Sequence, residues 1–205
     1  MAATEEPTLA FASPDEWNAW LASHHGKPTP VWLRLAKKGA VKSITYAEAL
    51  DVALIWGWID SQKRKHDDHA FAQRFSPRNS RSPWSKINCA KAEALIAAGK
   101  MKPSGLAEVE RARADGRWDR AYAGQKTSTV PDDFAAALAK NARAKKFFDD
   151  LDATNRYALL YRLQAAGKPQ TRADRITRFV AMCAKGETFH PKKEKKKSGT
   201  ARPRV

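Results

Sequence analysis

Strand-like alternation of apolar and polar residues is confined to the part of this chain before Ser76, and helical spacing governs the remainder. That division restricts the fold to a small sheet with helices, joined to a purely helical part. In "VWLRL", Val31, Leu33 and Leu35 fall on one side, and Trp32 and Arg34 on the other. "SQKRK" and "FAQRF" flank "HDDH", which predicts a hairpin, and "LAF" near the start offers one more short strand. From about residue 83 the apolar residues recur at i, i+3, i+4 and i+7, as in Ile176, Phe179, Val180 and Cys183.

Helix boundaries are written in capping chemistry. Ser13 caps a helix with Pro14 at its first position, and Glu16 can close a capping box; Thr45 and Glu48 repeat the pattern. Ser82 or Ser85 caps the helix that follows "SPRNSRSPWS". Gly99 and Gly116 stand where helices stop, and Asn141 breaks "PDDFAAALAKNARAKKFFDDL" into two. Asp152 caps the next helix, Gly167 and Pro169 end it, Thr171 caps the last one and Gly186 closes it. The expected class is α+β. A small antiparallel or mixed sheet with helices occupies residues 8–120, a polar linker 121–130, an all-helical domain 130–187 and a disordered basic tail 188–205.

The formal charge is +16 over 205 residues, and it is concentrated. Residues 61–91 carry eight Lys/Arg against two Asp, a net +6; residues 186–205 carry seven against two Glu, a net +5. Such a field attracts polyanions and acidic proteins, and it also serves plain solubility. Cys89 and Cys183 are 94 positions apart in no paired motif, which fits a reducing compartment. "MAATEEPTLAF" has acids where an export signal needs bases, and no window has 18 consecutive apolar residues. A cytoplasmic protein without a membrane span is expected.

The stretches "VPDDFAAAL" and "AAGKPQTRADRITRFVAMCAKGE", with "YAEALDVALIWGWIDSQKRK" and "QRFSPRNSRSPWSKIN" nearer the start, resemble the YdeI/OmpD-associated family, also labelled bacteriocin-protection proteins. The resemblance implies a link to survival of bacteriocins or cationic antimicrobial peptides and to an outer-membrane porin. It carries no catalytic set onto these residues. Some members are described as periplasmic; the missing export signal departs from that.

Two clusters qualify as anion sites. Arg78, Arg81, Ser82 and Ser85 precede a helix whose first amides lack partners, and cations there oppose the helix dipole unless an anion is present. The alternative is that these arginines pair with Asp60, Asp67 or Asp68 while Trp84 packs as core. Lys168, Arg172 and Arg175 gather at the last helix start, and their alternative is pairing with Asp149, Asp150 or Asp152, plus Asp174 as an intrahelical partner. His66 and His69 in "HDDH" lack zinc-site spacing, so no metal or other cofactor is expected. Cys89 lacks an oriented base and an oxyanion hole, so burial is its expected role and no catalytic residue is assigned. The tryptophans either stack bases or fill the core, and core packing is the simpler use. The leading reading is a non-enzymatic protein that binds an anionic ligand or acidic macromolecule. A nucleic-acid-associated protein using the basic 61–91 surface and the tail is second. An enzyme with a pocket between the hairpin and the Trp84 helix is third. No pattern specifies an oligomeric state.

Overall fold

The computed structural model describes residues 6–37 and 42–191. The tail from residue 192 onward, expected to be disordered, lies outside the described residues. The chain divides into two compact units, Met1–Tyr122 and Ala123–Val205.

Unit 1 is α+β, as its patterning requires. In order it contains β1 (Thr8–Leu9), α1 (Pro14–His24), β2 (Val31–Ala36), α2 (Tyr46–Ile55), β3 (Trp58–Lys65), β4 (Ala70–Pro77), α3 (Lys86–Ala97) and α4 (Pro103–Ala114). The sheet order is β1-β2-β4-β3. β1 runs parallel to β2, and the other pairs are antiparallel, so the sheet is mixed. Register places Val31, Leu33 and Leu35 opposite Phe75, Gln73 and Phe71, which makes one face the core face. Trp17, Leu21, Leu54, Trp58 and Trp84 pack into that core. The buried indoles of Trp17 and Trp58 donate to the Ala49 and His25 carbonyls at 3.1 and 3.0 Å, which removes most of the cost of burying a polar ring edge.

The Thr45–Glu48 capping box is complete. At α1 the box is displaced by one residue. The Ser13 hydroxyl accepts from the Glu16 amide, but the Glu16 carboxylate takes the Ala12 N–H at 2.8 Å rather than that of Ser13. Gly57 joins α2 to β3 at φ 77°, with its carbonyl accepting from the Arg78 amide at 3.0 Å.

Unit 2 is all helical: α5 (Asp132–Ala139), α6 (Ala142–Asp149), α7 (Ala153–Gln164) and α8 (Pro169–Lys185). Phe134, Phe148, Leu160, Leu163, Phe179 and Cys183 form its core. Asn141 and Asp152 cap α6 and α7 through their side chains. Three boundaries differ from the sequence reading. α8 begins at Pro169, not at a Thr171 cap, because proline's fixed φ and missing N–H suit a first helical position. The linker is shorter than 121–130: the Ala123 amide donates to the Gln164 side chain at 2.7 Å, and Gln164 also donates to Ser128. Residues assigned to the tail hold this unit together. Phe189 packs edge-on against Phe179 at 5.7 Å, and the buried Asn155 side chain exchanges two hydrogen bonds with the His190 backbone.

Candidate functional site

Of the four residues proposed to converge before α3, the structure leaves one facing solvent. Ser85 is the N-cap: its hydroxyl accepts from the Asn88 amide at 3.1 Å, and it is buried. Ser82 closes a tight turn, accepting from the Asn79 amide at 3.0 Å and donating its own amide to the Asn79 carbonyl. The Arg81 amide donates to the Asn79 side chain, while the Arg81 side chain is exposed. Arg117, from the segment after α4, grips the same turn by donating to the Ser82 and Asn79 carbonyls at 2.8 and 3.2 Å.

Arg78 is the outlier, only 5% exposed. Its guanidinium lies 3.5 Å from the Trp84 ring centroid and donates once, to the Pro83 carbonyl at 3.1 Å. Its Nε and Nη2 are buried without acceptors, and so are the Trp84 indole N–H and the Arg117 Nη2. The nearby acceptor is Glu108 of α4, whose Oε1 binds Arg111 while Oε2 is buried without a donor. Among the described residues no carboxylate lies within 4.0 Å of Arg78, so the expected pairing with Asp60, Asp67 or Asp68 does not occur. Burial pulls the Arg78 pKa down to about 10, against the opposing pull of the Glu108 carboxylate. A stacked, desolvated cation–π contact offsets part of that cost. Arg78 therefore serves as an interior pin for the 79–83 turn, and the ligand-facing donors are elsewhere.

The face outside this pin is amphipathic. The Lys86 amide donates to the Tyr122 carbonyl and the Asn88 amide to Ser85, so of the first three α3 amides that of Ile87 alone has no acceptor among the described residues. Lys86 and Arg81 are exposed, with no carboxylate within 4.0 Å among the described residues. Ile87 is 56% exposed, and with Tyr46 it is a large hydrophobic side chain left at the surface. The Tyr46 hydroxyl donates to Asp60 at 2.8 Å, and burial, then that carboxylate, raises its pKa.

The second cluster is already engaged. Arg172 makes a two-pronged ion pair with Asp133 at 2.6 and 2.8 Å and also donates to the Leu163 carbonyl. Arg175 donates to the Arg162 carbonyl. Lys168 stands at the α8 N-cap without a side-chain cap bond. The partners found are thus Asp133 and the end of α7 rather than Asp149, Asp150 or Asp152, and Asp174 accepts from Gln170 instead. The last carbonyls of a helix have no amide partners and carry partial negative charge, so they collect cations.

Cys89 is buried in the first turns of α3, and burial raises its thiol to about 11 although Arg78 pulls the other way. Cys183, also buried, is raised to about 11. Both are poor nucleophiles. Among the described residues no three His, Cys, Asp or Glu side chains cluster as metal ligands, and no helix is long and apolar enough to cross a membrane. A cavity of about 330 Å³ in unit 1 is lined by Pro7, Leu9, Trp20, His24, Lys27 and Val31, away from the hairpin and Trp84 helix.

Sequence reading missed Glu108 and Arg117. Glu108 had a signal: it shares a helical face with Gly105, Val109 and Ala112, where a carboxylate is out of place. Arg117 pairs locally with Asp115 at 2.8 Å, but its grip on the turn had no signal, because the carbonyls it reaches there are 35 and 38 positions away.

Two family models match, one in each unit. Residues 127–186 match Bacteriocin-protection, YdeI or OmpD-Associated. Over this stretch the helical unit is similar to the YdeI/OmpD-associated family. The resemblance seen in the sequence runs through the N-terminal half as well, but residues 9–108 match a different model, Domain of unknown function (DUF8412). No curated protein and no solved structure matches the chain.

Proposed function

We propose that this is a non-catalytic, cytoplasmic binding protein whose α3 entrance receives an acidic, partly apolar segment of a partner macromolecule. The protective role named in the matched family's description is the setting in which that binding acts. The observation that carries the reading is Ile87, 56% exposed in the first turn of α3, next in the chain to exposed Lys86 and six residues after exposed Arg81. An exposed large hydrophobe beside unpaired cations and a free first-turn amide suits a partner that brings a carboxylate and an apolar side chain together. Ser82, Ser85 and Arg78 contribute by fixing the turn and the helix start. Arg81, Lys86 and the Ile87 amide make the contact.

The test is titration of a labelled peptide of alternating Glu and Leu against wild type, Arg81→Glu/Lys86→Glu and Ile87→Ser, with near-UV circular dichroism to verify folding. Reversing two rim charges should weaken binding by about tenfold or more and flatten its salt dependence. Ile87→Ser should weaken it without changing the salt slope. Unchanged affinity in all variants would overturn the reading. The cellular counterpart is bacteriocin sensitivity of a deletion strain, restored by wild type but not by the charge-reversal variant.

A further inference from the structure

The outer face of the unit 1 sheet is built differently from the α3 entrance and supports an independent inference. Register sets Arg34 on β2 opposite Ala72 on β4, and Ala72 opposite Arg64 on β3; in the next row Trp32 faces Arg74. These side chains point away from the core face. Ala70 and Ala72 on this side are fully buried, and Trp32 beside them is 8% exposed. The Arg64 guanidinium sits 4.0 Å from the Trp32 ring centroid, and its Nη2 donates to the Thr8 hydroxyl at 3.4 Å. β3 is an edge strand and Arg64 is exposed, so the guanidinium held over the indole belongs to a residue open to solvent.

Two carboxylates already show where this face takes anions. Glu6 accepts a two-pronged pair from Arg74 at 2.7 and 2.6 Å, and the Arg74 hydrogen bonds hold its carboxyl below the usual range. Asp67 pairs with Arg34 at 3.4 Å. Arg64 has no carboxylate within 4.0 Å among the described residues, so the face keeps one positive charge without an ion-pair partner. A flat cationic floor would suit any polyanion. The stacked Arg64–Trp32 pair narrows the choice, since planar guanidinium and indole groups bind unpaired bases by stacking, while a duplex hides its base planes. Arginine forks also match phosphate in the bidentate geometry that Arg74 makes with Glu6.

We propose that the outer face of this sheet binds single-stranded nucleic acid. A base stacks on Arg64 above Trp32, and phosphates displace Glu6 and Asp67 from Arg74 and Arg34. The experiment is fluorescence anisotropy of a short labelled oligothymidine with the full chain, over a range of salt, for wild type, Arg64→Lys, Arg64→Ala and Glu6→Gln. Tryptophan fluorescence verifies folding of each. Arg64→Lys preserves charge but removes the stacking plane, and it should weaken binding by about fivefold or more; Arg64→Ala should weaken it further. Glu6→Gln should tighten binding by freeing Arg74. Binding through the basic tail alone would leave Arg64→Lys equal to wild type, and that result overturns the proposal. A duplex or anionic vesicles competing as well as the single strand overturns it too. If Arg64→Ala does not fold, the charge-preserving and Glu6→Gln variants decide.

Discussion

Gly57→Ala is the substitution that most directly tests how the fold holds the candidate site. Gly57 has φ 77°, and its carbonyl receives the Arg78 amide. A Cβ there would lie 2.9 Å from the Ser104 carbonyl oxygen and 3.0 Å from Glu108 Cγ. The left-handed conformation costs an alanine about 1–2 kcal/mol. Forcing α4 away from the α2–β3 turn adds about 1–3 kcal/mol of overpacking, because the nearest atom is backbone and cannot rotate aside. The expected cost is therefore about 2–5 kcal/mol. Gly99→Ala is the control. Its φ is 66°, and a Cβ there meets nothing within 4 Å, so only the conformational cost of about 1–2 kcal/mol applies. All seven tryptophans lie between Trp17 and Trp118, so fluorescence-detected urea unfolding follows unit 1 alone. A difference between the two variants of about 1–3 kcal/mol is expected. Equal costs would refute the claim that α4 is packed against this turn.

The helical unit gives two further expectations, and the two buried thiols a third. Phe189→Ala should destabilise it by about 2–3 kcal/mol, less than a full core truncation because the ring is half-buried; ending the chain after Gly186 should do at least as much, and an unchanged thermal midpoint would show that residues 187–191 do not pack. Arg172 lowers the Asp133 pKa through its hydrogen bonds, so this pair stabilises the fold fully above the unfolded carboxyl's 3.8 and its contribution fades as pH falls below that value. Asp133→Asn should therefore remove part of the acid sensitivity of unfolding while lowering stability near neutral pH. Both thiols should react slowly with a disulfide reagent near pH 8 in the native protein and quickly in denaturant, since each is buried and raised to about 11; rapid native labelling of Cys89 would contradict its burial.

Local chemistry made most elements legible in the sequence. Period-two alternation in Val31–Leu35, the Thr45 and Asp152 caps and the Gly186 stop act over a few residues, so a short window contains their whole cause. Strand order was not local. That β1 lies parallel beside β2, and that β4 separates β2 from β3, depends on which apolar faces meet the helices. The site shows the same division. Residues 78–85 announced a concentration of charge and a helix start, and both are present. Their sequence did not say that Arg78 turns inward onto Trp84, that Arg117 clamps the turn, or that Arg172 prefers Asp133 and the end of α7. A guanidinium reaches several ångströms in any direction, and whether it finds water, a ring or a carbonyl is decided by what the rest of the fold brings within that reach.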